Sequence, residues 1–179
     1  MRSPLIAAVA VLLLATPAVI LVAPGVAQAQ LSTWITDSRT GCRVWDQVPQ
    51  PSETVTWSGA CPNGVAEGNG VLQWYESGRP GDRYEGEMHG GKQSGHAVIT
   101  SNTGLRYDGE FRDGNMNGYG TFTYPSGDRF EGEWRNGKPN GLGKFISVVN
   151  GTFYGNWTDG CFKDGDRKAA VGVPASACK

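Results

Sequence analysis

Carboxylates come in pairs in this sequence. Glu85 and Glu87, Asp108 and Glu110, and Glu131 and Glu133 each stand two residues apart. On a strand, side chains at that spacing share a face, and two facing acids are the machinery of glycoside hydrolysis. The pairs also recur every 23 residues, which makes them a ladder of like charges. Such a ladder reads as a solvated sheet face that needs polar or cationic neighbours, and Thr121, Thr123 and Lys144 are the candidates. The chain has two histidines, His89 and His96, and no Gly-x-Ser-x-Gly or His-Glu-x-x-His signature. The expectation is a protein that is not an enzyme.

Two further motifs look like chemistry. Gly86 to Lys92 and Gly132 to Lys138 each match Gly-x4-Gly-Lys, the opening of a phosphate-binding loop. Gln93 and Pro139 follow where Ser or Thr is needed, and no helix pattern follows to bring its N-terminus to a phosphate. Asp113, Asn115, Asn117 and Gly118 match half of a calcium loop, but Tyr124 stands where the twelfth-position carboxylate belongs. No cofactor and no metal are expected.

Cys42, Cys61, Cys161 and Cys178 allow three disulfide pairings. The local one, Cys42–Cys61 with Cys161–Cys178, is expected. Each bond would close a loop of roughly 18 residues and stabilise the fold by about 3 kcal/mol. There is no Cys-x-x-Cys, and both histidines are remote from the cysteines, so a zinc site is not indicated.

Disulfides imply export, and residues 1–29 have the form of a leader. Arg2 is their one charge, a long apolar run follows, and Ala27-Gln28-Ala29 suits signal peptidase. Cleavage after Ala29 would place the mature protein in the periplasm or outside the cell. Left uncleaved, the run is long enough to anchor the chain in a membrane. The short leader and compact chain suggest a bacterial host. The sequons at Asn150 and Asn156 would be glycosylated only in a eukaryote. Removing the leader leaves 15 basic and 17 acidic side chains, too little positive charge for a nucleic-acid partner.

The elements that carry these residues obey a ruler. Tyr84, Tyr107, Phe130 and Phe153 are spaced by 23 residues, and each is the origin of one unit. Two residues after the origins stand Gly86, Gly109, Gly132 and Gly155. Seven after stand Gly91, Gly114, Gly137 and Gly160; eleven after, Gly95, Gly118 and Gly141; thirteen after, Gly120 and Gly143, with Ala97 in place of the third. The ruler laid on Trp57 finds Gly59, Gly64, Gly68 and Gly70, so an earlier unit precedes these. The step from Trp57 to Tyr84 is 27 residues, and a longer turn within residues 75–83 is expected to hold the surplus. The unit at Phe153 degenerates, with Asp164 and Asp166 where glycines belong. A fixed period with irregular ends marks a stacked repeat.

Within a unit, Tyr107-Asp108-Gly109-Glu110-Phe111 alternates apolar and acidic, as a strand does. Tyr107 and Phe111 share a face with Gly109 and can lean over it. A turn rich in Gly and Asn follows, then a second alternating run from Gly120 to Tyr124. Each unit is therefore expected to be a β-hairpin.

The pattern resembles the MORN repeat (membrane occupation and recognition nexus), whose core reads Tyr-x-Gly-x4-Gly-x3-Gly-x-Gly. YDGEFRDGNMNGYG (107–120) matches throughout, and FEGEWRNGKPNGLG (130–143) follows closely. The resemblance implies an all-β fold: an elongated, single-layer antiparallel sheet of tandem hairpins without a globular core. Residues 57–165 would hold five repeats starting near 57, 84, 107, 130 and 153, the last degenerate. Residues 30–56 and 166–179 would be caps. Cys42–Cys61 would pin residues 41–55 across the first open edge, and Cys161–Cys178 would fold the tail over the last one.

The family also implies a non-enzymatic scaffold or protein-interaction module, so a protein partner or a second copy of the chain is expected. The alternative is a cell-envelope protein that binds a glycan or lipid along the aromatic face. That face would carry Trp74, Tyr84, Tyr107, Phe111, Tyr124, Phe130, Trp134, Phe153 and Trp157, with Phe122 and Phe145 in the same stripes.

Overall fold

The computed structural model describes residues 33–178. The leader expected over residues 1–29 lies outside them. Thirteen strands follow one another: β1 (Thr33–Thr36), β2 (Arg43–Asp46), β3 (Glu53–Trp57), β4 (Gly68–Glu76), β5 (Arg79–His89), β6 (Lys92–Thr100), β7 (Arg106–Arg112), β8 (Asn115–Thr123), β9 (Arg129–Arg135), β10 (Lys138–Ser147), β11 (Gly151–Thr158), β12 (Cys161–Asp164) and β13 (Arg167–Ala170). β3 to β13 form one antiparallel sheet in strict chain order, and β1 pairs with β2 in a separate hairpin. The fold is all-β, built from repeated hairpins in a single layer. At about 4.8 Å per strand, eleven strands extend over roughly 48 Å.

The period of the sequence is the register of the sheet. Trp57 pairs with Leu72, Tyr84 with Ile99, Tyr107 with Phe122 and Phe130 with Phe145. Each origin thus faces the residue fifteen places on. Nearer the turn the register shifts, as between Gly109 and Phe111. The shift is a bulge, and in the regular units the glycine eleven after the origin absorbs it: Gly118 has φ 92° and Gly141 has φ 119°. The turn itself has two residues, Asp113-Gly114 with φ 51° and 82° or Asn136-Gly137 with φ 50° and 77°. Two left-handed residues in succession make the primed turn that matches the strand twist.

Past the bulge the turns stack on one another. The N–H of Gly91 donates to the Ala66 carbonyl, Gly114 to Gln93, Gly137 to Met116 and Gly160 to Pro139, at 2.9–3.0 Å. The stacked turns form a second hydrogen-bonded ladder beside the sheet.

The glycines two and thirteen after the origins form a row across the strands. Gly70 pairs with Gly86, Gly86 with Ala97, Ala97 with Gly109, Gly109 with Gly120, Gly120 with Gly132, Gly132 with Gly143 and Gly143 with Gly155. The aromatic rings fill the trough this row leaves. A β-carbon on Gly109 would come within 2.7 Å of the Tyr107 hydroxyl, and the ring of Trp57 occupies the same space over Gly59 and Gly70. The sheet has one layer, yet it is not coreless. Leu72, Tyr84, Met88, Tyr107, Phe130 and Trp157 are fully or almost fully buried in one continuous cluster. Glycine removes side chains from the middle of the sheet, and neighbouring rings then bury themselves against bare backbone and each other.

Three expectations need correction. The extra residues between Trp57 and Tyr84 lengthen β4 and β5 rather than the turn, which is the tight pair Ser77-Gly78. A bulge between Gln73 and Tyr75 keeps the longer strands in register. Residues 41–55 do not cover the first edge from outside; the last three of them belong to it, in β3. β3 is itself the edge strand, and β2 crosses the stacked turns, with the Trp45 N–H donating to the Gly91 carbonyl (2.7 Å). The edge is met by Asp37, whose carboxylate accepts the Trp57 N–H (3.0 Å). The tail supplies the last edge strand as β13 before it turns back.

Candidate functional site

The paired acids sit on the face opposite the rings, where the first carboxylate of each pair has an arginine beside it. Arg83 bonds Glu85 (2.6 Å), Arg106 bonds Asp108 (2.7 Å) and Arg129 lies 3.5 Å from Glu131. Thr121 stands between Asp108 and Glu131, and Lys144 pairs with Glu131. His96 adds a contact to Asp108 (3.0 Å). The second acid of each pair has a structural place. Glu87, Glu110 and Glu133 fold over the bulge glycines Gly95, Gly118 and Gly141, and Glu133 accepts the Leu142 N–H (3.2 Å). The Gly-x4-Gly-Lys and half-calcium motifs fall on the β5–β6, β9–β10 and β7–β8 turns.

The aromatic face is largely closed by its own rings. Tyr84, Tyr107 and Phe130 are fully buried, and Trp74, Phe111, Trp134, Phe153 and Trp157 nearly so. Tyr124 is half-buried. The rings meet edge to face: Tyr107 with Trp134 at 5.3 Å, Phe130 with Trp157 at 5.0 Å and Tyr84 with Phe111 at 5.5 Å. Each such pair contributes about 0.5–1.5 kcal/mol beyond area burial. Their polar ends are satisfied on the backbone. Tyr84 donates to the Glu87 carbonyl (2.6 Å), Tyr107 to Glu110 (3.1 Å), and the Trp134 and Trp157 indoles to Gly120 (3.1 Å) and Gly143 (3.2 Å). Burial pushes the Tyr84 and Tyr107 hydroxyls well above the ordinary tyrosine pKa. A groove running the length of the sheet is therefore absent, because self-packing consumes the surface it would need.

One stretch stays open. Ile99, Leu105, Phe111, Met116 and Phe122 line a groove of about 320 Å³, together with the polar Gln47, Gln93 and Asn115. A smaller hollow of about 240 Å³ adjoins it under Trp45 and Val48. Nothing in the repeat pattern marks this window, because the caps define it. On one side stands the hairpin of β1 and β2, tied by Cys42–Cys61, with the Trp74 indole donating to Asp46 (2.9 Å). On the other stands the tail, tied by Cys161–Cys178, where the Gly172 N–H faces the Tyr124 hydroxyl. Both cysteine pairs are the local ones.

Asp37 holds the first cap together. Burial opposes its charge, but the Arg39 guanidinium and the N–H groups of Trp57 and Arg39 outweigh that and hold its pKa at about 2. No signal within the repeat points to Asp37, since what it binds at the repeat origin Trp57 is the main-chain N–H and not the side chain.

Two disulfides are the mark of an oxidising compartment. Among the described residues, no helix is long and apolar enough to cross a membrane.

A comparison with known protein families finds MORN repeats at residues 63–79, 84–106, 107–129 and 130–152. The copy read at Phe153 lies beyond the matched residues. No curated protein matches the chain.

Proposed function

This chain carries tandem MORN repeats, modules that in general mediate protein or membrane interactions, and on that premise we propose that it is an exported, non-enzymatic scaffold that presents a rigid sheet to a protein partner. The observation that carries the reading is the closure of the aromatic face. Rings buried on a glycine row fix the shape of the sheet and leave one bounded window. A preformed surface loses little entropy on binding, which is what a scaffold requires. The two capping disulfides support export, and the bacterial-type leader would direct it. The engagement of Glu133 and its equivalents in the bulges supports a non-catalytic role for the acidic face.

The second reading is a lipid- or glycan-binding protein of the envelope. The apolar lining of the window favours a lipid chain over a sugar, since the rings best suited to stack on sugars, Trp134 and Trp157, are buried.

Capture from a detergent-solubilised envelope fraction of the host, with the oxidised protein as bait and co-eluting protein, lipid and glycan identified by mass spectrometry, separates these readings. The scaffold reading expects one stoichiometric protein partner. Lipid or glycan without protein would contradict it.

A further inference from the structure

The stacked turns already serve the chain itself as a docking edge. β2 runs across them: the Arg43 carbonyl accepts the Ala66 N–H (3.0 Å), and the Trp45 N–H donates to the Gly91 carbonyl (2.7 Å). Two residues of β2 thus advance by one repeat, and Val44 between them is fully buried. After Asp46 the chain leaves this line. Only the Gln47 side chain reaches the third turn, donating to the Asp113 carbonyl (3.4 Å). At the far end the tail repeats the arrangement, with the Val171 N–H on the Gly160 carbonyl (2.9 Å) and the Val171 side chain buried.

Gly114 and Gly137 are the turn glycines between these two contacts. Among the described residues, neither carbonyl accepts a hydrogen bond. Both glycines line the window, beside Phe111, Met116 and Phe122. The opposite wall shows the same gap. Seventeen residues after their origins, Trp74 and Tyr124 reach towards the two caps, but the equivalent residue in the repeat between them is Ser101, which lines the window. Gly172 of the tail already lies against the Gly137 carbonyl, so the segment left open between the two caps is centred on Gly114.

Resting on the interaction-module reading, we infer that the window receives an extended segment of a partner protein, which continues the line of β2 by giving a backbone N–H to the Gly114 carbonyl and an adjacent branched apolar side chain to the groove of Phe111, Met116 and Phe122. The chemistry follows from the caps. An unpaired carbonyl on an edge calls for an amide donor, and main-chain pairing with pockets for alternate side chains is the logic of strand addition. The buried cap residues Val44 and Val171 set the size and character of the inserted side chain. Gln47 and Asn115, whose amide N–H groups bond the Asp113 carbonyl, also line the window, and their side-chain oxygens can accept from the remaining peptide groups. A lipid chain would fill the apolar floor but leave the carbonyls unpaired.

The test is selection of binders to the oxidised protein from a displayed library of random dodecapeptides. Enriched peptides are expected to share a central Val, Ile or Leu. A synthetic copy should lose at least tenfold in affinity when the backbone amide next to that residue is N-methylated. Met116→Glu, a half-buried site, should cost the same, and Leu105→Glu serves if the first variant does not fold. A library without binders, or peptides indifferent to both changes, would overturn the inference. So would flotation with phosphatidylglycerol vesicles that Met116→Glu abolishes, since the window would then be a lipid site. An envelope partner that binds Met116→Glu protein as well as wild type would remove the window as its site while leaving the scaffold reading standing.

Discussion

The Tyr107 hydroxyl lies over Gly120, in the space a β-carbon there would occupy. Gly120 pairs with Gly109 on the neighbouring strand, so one ring covers two bare backbones. The same relation joins Phe130 to Gly132 and Gly143. Glycine costs stability within a strand, but here its absent side chain makes the cavity that the ring fills.

Gly109→Val should therefore destabilise the protein by about 1–3 kcal/mol through overpacking. The new β-carbon would meet the Gly120 Cα at 2.5 Å and the Tyr107 hydroxyl at 2.7 Å. Urea unfolding measures the effect, and a change within about 0.5 kcal/mol would exclude this packing.

A different cost applies at the turns. Gly137 has φ 77°, and a β-carbon added there would find no atom within 4 Å. Gly137→Ala should still cost about 1–2 kcal/mol, because left-handed backbone strains any residue with a β-carbon. Gly137→Asn should cost less, since asparagine tolerates that conformation. Equal losses in the two variants would show that the site is crowded.

Asp37 makes stability depend on pH. Its folded pKa of about 2 lies below the unfolded value of about 3.9, so its contribution is fully present above pH 4 and lost as pH falls through 2. Arg39 is exposed and screened, which limits the contribution to roughly 1–2 kcal/mol. Unfolding measured at pH 5 and pH 2.5 should show a larger loss in wild type than in Asp37→Asn. Parallel losses would mean that other groups set the acid limit.

Much of this architecture is legible in the sequence, and what is not has a physical cause. The interval of 23 residues recurs in the sheet, so Tyr107 and Phe130 could be given equivalent places from spacing alone, whereas the partner strand residue Phe122 could not. Gly118 reads as a turn residue, yet it forms a bulge, because both need φ above zero and composition does not separate them. The path of β2 leaves no trace in side chains, since it is held by main-chain bonds to stacked turns. The window follows from that path together with the length of Ser101, and so escapes a reading made repeat by repeat.

The cap at the first end should depend on its disulfide. Replacing Cys42 and Cys61 together by Ser opens a loop with a sequence separation of 19 and should cost about 3 kcal/mol. It should also loosen β2 from the turns, uncover Val44 and Met88 and favour association, as sedimentation would show. An unchanged melting point in a monomeric variant would mean that the cap is held without the bond.

The central claim is that the aromatic face is a closed core with one window. Hydroxyl-radical footprinting of the oxidised protein, read residue by residue by mass spectrometry, tests it most directly. Met116 and Leu105 should label readily, while Met88, Phe130, Trp134 and Trp157 should be protected until the protein unfolds. Rapid labelling of Trp134 and Trp157 in the folded protein would contradict the account, for the face would then be an open groove along the sheet.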